Sequence, residues 1–89
     1  MPFRGGRSDE PELDALSKAL AVHVAAERAR RGLTQTELAV LCGTTQSAVA
    51  RLERGARPPR LDTLLRIANA LDCELEVRLR PRTRMEREP

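Results

Sequence analysis

Arginines concentrated in the middle of the chain are the residues whose chemistry is easiest to interpret. Residues 28–66 hold eight arginines against three carboxylates, a net charge of +5, whereas residues 9–27 sum to −4 and the 89-residue chain to +3. A basic segment of this kind indicates a phosphate-rich partner, although a solvated basic surface accounts for the charge equally well. The arginines are Arg28, Arg30, Arg31, Arg51, Arg54, Arg57, Arg60 and Arg66.

Residues that commonly carry catalysis or bind metals are few and scattered. His23 is the single histidine, and no nucleophile or metal ligand accompanies it at a useful spacing. Cys42 and Cys73 match no metal-ligand spacing, so we expect reduced thiols, with Cys42 packed in a core. The sequence therefore predicts no enzyme, no metal and no cofactor. No apolar run is long enough to span a bilayer, and Met1 to Glu12 lacks the apolar region of a signal peptide, so no membrane partner is expected.

Four helices are predicted from apolar periodicity and from cap residues. A disordered arm, residues 1–8, precedes a first helix that starts at Asp9 or Glu10 and stops at Gly32. Thr34 and Glu37 fit a capping box at the start of the second helix. The predicted helical spans are residues 9–31, 35–42, 46–54 and 62–71.

The segment from Gln35 to Glu53 is the most informative part of the chain. Its two short helices are joined by a tight turn at Gly43, which is free to adopt a positive φ. Ala39 is small where the helices must approach each other, and Val49 and Leu52 anchor the second helix on the first. This geometry makes the polar N-terminal face of one helix protrude far enough to enter a DNA major groove.

In these residues the chain resembles the Xre family, the Cro and phage-repressor type of helix-turn-helix proteins. The resemblance covers residues 25–71 and implies a mainly α, four-helix, lambda-repressor-like domain that binds double-stranded DNA. The matching residues are Gly32-Leu33-Thr34-Gln35-Thr36-Glu37-Leu38-Ala39, Gly43, Val49, Arg51-Leu52-Glu53-Arg54-Gly55, Thr63-Leu64 and Ile67-Ala68.

The same resemblance implies which residues contact the bases and which contact the DNA backbone. Gln46, Ser47 and Arg51 would contact base edges from the recognition helix, since glutamine suits adenine and arginine suits guanine. Other residues would contact the DNA backbone, which positions the domain without reading sequence. These backbone contacts are assigned to Gln35, Thr45, Arg57 and Arg60.

Two further features follow from the comparison with this family. Arg28 and Glu53 are similar to a family pair and would form a structural ion pair joining the first and third helices. Arg60 stands where relatives often place a serine cap, which leaves Asp62 to serve the start of the fourth helix.

Beyond the fourth helix, residues 73–80 alternate between apolar and charged side chains, a pattern typical of a half-buried β-strand. A single strand leaves its backbone unpaired, so we expect the same strand of a second copy to pair with it about a two-fold axis. Leu75, Val77 and Leu79 would face the helices of the dimer. Residues 81–89 are expected to form a disordered tail.

The sequence therefore predicts a sequence-specific transcriptional repressor: residues 9–72 bind a palindromic operator, and residues 73–80 form the homodimer. Its two recognition helices would lie about one DNA turn apart, roughly 34–36 Å. A helix-turn-helix followed by a strand also resembles the HipB-like antitoxins. The alternative is thus an antitoxin of a type II toxin-antitoxin operon that autorepresses and binds a cognate toxin. A purely structural interaction module would show no specific DNA affinity. We expect a location in the bacterial cytoplasm, at the nucleoid.

Overall fold

The computed structural model describes residues 6–83 of the chain, with side chains from Glu10 onward. Within this range the chain is mainly helical, and the mainly α, four-helix prediction is confirmed there. The four helices are α1 (Gly6–Arg30), α2 (Gln35–Cys42), α3 (Gln46–Arg54) and α4 (Leu61–Ala70).

The predicted start of α1 is wrong by three residues. The helix begins at Gly6 and not at Asp9, so residues 6–8 of the predicted disordered arm are helical, while residues 1–5 lie outside the described residues. Pro11 therefore lies inside the helix and not in its first turn. Because proline has no N–H, the carbonyl of Arg7 lacks its usual donor, and this one missing hydrogen bond falls in the second turn of the helix, close to its N-terminal end.

Aliphatic side chains from all four helices form the core. Leu38 and Val49 are its most deeply buried large side chains, and Val24 of α1 and Ile67 of α4 pack in the same cluster. Burial of each such side chain contributes roughly 1.5–3 kcal/mol to folding. The core therefore packs α2 and α3 against each other and against α1 and α4.

The strand predicted for residues 73–80 is absent from the described part of the chain, where residues 73–83 carry no regular secondary structure. Leu75 is half-buried, but the side chains of Val77 and Leu79 are 72% and 98% exposed. The physical reason is that a strand is defined by its hydrogen-bonded partner, and one copy of the chain supplies none. Of the predicted tail, residues 84–89 lie outside the described residues.

No helix among the described residues combines the length and the apolar character needed to cross a membrane.

Candidate nucleic-acid interface

A tight turn around Gly43 connects α2 to α3. Gly43 has φ 73° and ψ 36°, the left-handed region in which glycine pays no steric penalty. The backbone N–H of Thr44 donates to the carbonyl of Ala39 at 2.9 Å, which closes the end of α2. A Cβ at position 43 would meet no atom within 4 Å, so backbone conformation and not space favours glycine here.

Threonine caps define where each of the two helices begins. The Thr34 hydroxyl accepts from the Glu37 N–H at 3.0 Å, and the Glu37 carboxylate accepts from the Thr34 N–H at 2.8 Å, a complete capping box. At α3, the Thr45 hydroxyl oxygen accepts from the Ala48 N–H at 3.1 Å. The hydroxyl proton of exposed Thr45 remains available to a ligand at this helix N-terminus.

One face of α3 is buried and the other is open to solvent. Val49 and Leu52 are 2% and 8% exposed and fasten α3 to the core. Gln46, Ser47 and Arg51 are all exposed, and Ser47 and Arg51 lie one helical turn apart on the same side. The open face therefore presents amide, hydroxyl and guanidinium groups to solvent, on a helix whose opposite face is anchored in the core.

The loop before α4 adds positive charge next to this face. Arg51, Arg57 and Arg60 line one shallow concavity, together with Pro58 and Pro59. Arg60 also pairs with Asp62 at 3.3 Å, and both side chains are largely exposed. Among the described residues, Arg57 has no carboxylate partner, so its full charge is available to an anion.

A bidentate ion pair locks α3 to the end of α1. Arg28 donates from Nε to one carboxylate oxygen of Glu53 at 2.7 Å and from Nη2 to the other at 2.9 Å. Arg28 Nη1 also donates to the Leu33 carbonyl at 2.7 Å. The two side chains are 19% and 7% exposed, so the pair is largely shielded from water.

This environment keeps Glu53 ionised. Burial alone favours the neutral carboxyl, but the hydrogen bonds from Arg28 and Gln35 and the Arg28 charge outweigh it, so the pKa of Glu53 lies below its usual value. The hydrogen bond to Glu53 is the main reason that the pKa of Arg28 is raised. Both partners are therefore charged at neutral pH.

A chain of two further hydrogen bonds runs from this ion pair to the protein surface. Gln35 Nε2 donates to Glu53 Oε1 at 3.0 Å, and Gln46 Nε2 donates to Gln35 Oε1 at 2.8 Å. Gln35 is half-buried and Gln46 is exposed at the first position of α3. This connection was not predicted from the sequence, where its only signal is the helix-turn-helix spacing, which places Gln35 and Gln46 at the starts of neighbouring helices.

The sequence profile of the Helix-turn-helix family matches residues 24–77, more than half of the chain. The chain belongs to this family. The match confirms the resemblance to Xre-type helix-turn-helix proteins. The second helix of such a motif is the element that enters a DNA groove, which corresponds to α3 here.

Relatives of this helix-turn-helix chain include two curated proteins. An uncharacterised HTH-type transcriptional regulator, y4dL of Sinorhizobium fredii, is 40% identical over 50 residues, which cover 56% of this chain and 26% of that protein. An uncharacterised HTH-type transcriptional regulator of Haemophilus influenzae is 34% identical over 62 residues, which cover 70% of this chain and 63% of that protein. The match thus spans about a quarter of the first relative and under two thirds of the second.

A solved structure shares the same helix-turn-helix fold. The restriction-modification controller protein C.AhdI of Aeromonas hydrophila superposes with a TM-score of 0.66 at 36% identity, covering 68% of this chain and 88% of that protein. The helix-turn-helix fold of this chain is therefore one that a crystal structure also shows.

The structure brings most of the predicted site residues of the helix-turn-helix together and leaves one group apart. The predicted base-contact residues share the open face of α3, with Arg57 and Arg60 beside them and Gln35 behind them. Arg28 and Glu53 are in direct contact. Leu75 lies elsewhere, in a groove with His23 of α1 and Ile67 of α4. Leu75 is thus separate from the candidate nucleic-acid interface.

Proposed function

We propose that this protein is a sequence-specific transcriptional repressor that binds a palindromic DNA operator as a homodimer. The observation that carries the proposal is the open face of α3. It presents Gln46, Ser47 and Arg51 to solvent, while Val49 and Leu52 on its opposite face are buried. A polar helix face held rigidly away from the core is suited to enter a major groove.

The residues of this interface divide into two proposed roles. Gln46, Ser47 and Arg51 contact base edges, because all three are exposed on α3 and their amide, hydroxyl and guanidinium groups can hydrogen-bond to bases. The remaining contacts go to phosphates, with Arg57 as the strongest because no carboxylate of the described residues neutralises it. The proposed backbone contacts are Gln35, Thr45, Arg57 and Arg60.

Dimerisation is proposed to occur through residues 73–80. Val77 and Leu79 expose most of their apolar surface in the single chain, and the backbone around them has no strand partner in the described residues. The same segment of a second copy would supply both a backbone ladder and apolar contacts. The antitoxin alternative has no observation in its favour, since the relatives above are named as regulators or as a controller protein.

Selection of bound duplexes from random DNA, followed by sequencing, tests the DNA-binding proposal. We expect a palindrome whose half-site centres lie about 10 base pairs apart, one DNA turn. A pool that shows no enriched sequence would overturn the repressor assignment.

Analytical ultracentrifugation tests the dimer. Val77→Lys should shift the protein toward a monomer, because an edge lysine opposes strand pairing. Val40→Lys is the matched control, since Val40 is 73% exposed on α2 and should leave the mass unchanged. A wild-type monomer at micromolar concentration, or a Val77→Lys dimer as stable as the wild type, would contradict the proposed interface.

A further inference from the structure

We infer that residues 73–80 of two copies pair in one antiparallel register, with Val77 facing Val77 of the second copy, and that glutamates facing arginines across the two strands select this register. The inference rests on the proposed dimerisation through residues 73–80. It goes further by assigning to each residue around Val77 the residue that it faces in the second copy.

The two ends of this segment limit which residues can enter a two-stranded ladder. Asp72 has φ 57°, which lies outside the extended region, so an extended strand begins after it. Pro81 has no N–H to donate to a partner strand, which makes it a natural end of the ladder. Residues 73–80 lie between these two limits, and Val77 is the centre of residues 74–80.

Charged side chains alternate with apolar ones along this segment, and the sign of the charge changes at Val77. Glutamates precede Val77 and arginines follow it at the same distances along the chain. The charged residues are Glu74, Glu76, Arg78 and Arg80. Each is exposed, and none forms an ion pair with another residue of the described part of the chain. In a strand they would share one face, because successive side chains point to opposite faces.

An antiparallel pair of strands centred on Val77 places every one of these glutamates opposite an arginine. Glu76 of one copy faces Arg78 of the other, Glu74 faces Arg80, and the two-fold axis repeats each pair. Opposite charges directly across a ladder stabilise it, whereas like charges destabilise it. A centre at residue 76 would place two Glu76 carboxylates opposite each other, and a centre at residue 78 would do the same with two Arg78 side chains. A parallel, in-register pair would place like charges together at every charged position.

The same register brings apolar side chains together on the other face. Leu75 of one copy faces Leu79 of the second copy. In the single chain Leu75 lines a groove with Leu20 and Ile67, whereas Leu79 is 98% exposed. Residues directly opposite each other in an antiparallel pair have Cβ atoms roughly 4.5–5.5 Å apart, so Leu79 of the second copy would lie beside Leu75 at this groove. The register therefore gives an apolar contact to the most exposed large hydrophobic side chain of the described residues.

Charge reversal tests the register, with the dissociation constant of the dimer measured by analytical ultracentrifugation at low salt. Glu76→Arg and Arg78→Glu should each raise this constant by about 10-fold or more, because each replaces an attractive pair by a repulsive one on both sides of the axis. The double variant Glu76→Arg/Arg78→Glu restores opposite charges and should return the constant to within about 3-fold of the wild type. Glu10→Arg, the same charge change at an exposed position of α1, is the matched control and should leave the constant unchanged.

Neutral variants separate the possible centres of the ladder. Glu76→Gln should raise the dissociation constant by about 2- to 30-fold if Val77 is the centre, because it removes an attractive pair on each side of the axis. With the centre at residue 76, the same change would strengthen the dimer, since two carboxylates would no longer face each other. Arg78→Gln gives the corresponding comparison for a centre at residue 78, and we expect it to weaken the dimer as well.

The outcomes distinguish the register from the dimer on which it rests. If the double variant is as weak as its two single variants combined, or if Glu76→Gln or Arg78→Gln tightens the dimer, the register centred on Val77 is overturned. If the charge reversals leave the dissociation constant of the dimer unchanged, these side chains do not face each other, and the register fails while the dimer remains. A wild-type protein that is monomeric at micromolar concentration contradicts the proposed dimer itself.

Discussion

Replacing Glu53 by alanine is the sharpest test of how α3 is held in place. The change removes the acceptor of three hydrogen bonds, two from Arg28 and one from Gln35. It leaves the Arg28 guanidinium, only 19% exposed, with the Leu33 carbonyl as its remaining acceptor. Loss of one partner of a buried ion pair costs roughly 3–5 kcal/mol. Because Arg28 keeps one hydrogen bond and some contact with water, we expect the lower end, about 3 kcal/mol.

Urea unfolding followed by far-ultraviolet circular dichroism measures this loss, since the chain has no Trp or Tyr for fluorescence. A destabilisation of about 3 kcal/mol corresponds to a fall in Tm of roughly 12–24 °C for a domain of this size. Glu27→Ala is the matched control. Glu27 pairs with Arg31 at 2.6 Å and Arg30 at 3.3 Å on the surface, and its loss should cost about 0.2–1 kcal/mol. Equal losses for the two variants, both under about 1 kcal/mol, would refute the structural role of the Arg28–Glu53 pair.

The same pair predicts a direction for the pH dependence of stability. Although burial alone would raise it, the pKa of Glu53 is lowered in the folded state by the hydrogen bonds from Arg28 and Gln35 and by the Arg28 charge. A lowered folded-state pKa contributes stability above the unfolded value, about 4.3, and this contribution is lost as the pH falls through the folded-state pKa. Between pH 5 and pH 3 the wild type should therefore lose more unfolding free energy than Glu53→Gln, measured by urea titration at each pH. Parallel losses in both proteins would show that Glu53 does not carry this dependence.

Three smaller perturbations test the turn, the cap and the loop. Gly43→Ala should lower the unfolding free energy by about 1–2 kcal/mol, because φ 73° places a Cβ in the left-handed region, and Gly43→Asn should lower it less; equal losses would contradict the conformational reason. Thr34→Ala should cost about 1 kcal/mol in the same urea assay by removing the acceptor for the Glu37 N–H, and an unchanged midpoint would contradict the capping role. Arg57→Ala should reduce the slope of log affinity against log salt by about 0.9 per bound protomer, measured by fluorescence anisotropy, and an unaltered slope would exclude a phosphate contact.

Helix bounds were predictable wherever cap chemistry is local. The predicted spans of α2 and α3 agree with the structure, and α4 differs by one residue at each end. Thr34 and Glu37 cap the start of α2, Gly43 ends α2, and Thr45 caps the start of α3. Each of these residues acts through backbone atoms only a few residues away. A single sequence therefore contains the information needed for these boundaries.

Features that depend on distant parts of the chain were harder to predict. The contact of Gln35 with both Glu53 and Gln46 depends on how α2 crosses α3, which residue spacing alone does not specify. Residues 73–80 have the alternation of a strand, but alternation reports only which side chains prefer burial, while a ladder needs a partner backbone. The start of α1 was misplaced because Pro11 indicates a first turn without requiring one.

The ratio of dissociation constants for a selected duplex and a shuffled duplex of the same composition tests the central claim most directly. At a single salt concentration the wild type should prefer the selected duplex by roughly 10³-fold or more. Arg51→Ala should reduce that ratio, whereas Arg57→Ala should weaken both duplexes alike and preserve it. Equal wild-type affinity for the two duplexes, or the same uniform weakening in both variants, would contradict the proposal that the open face of α3 reads DNA sequence.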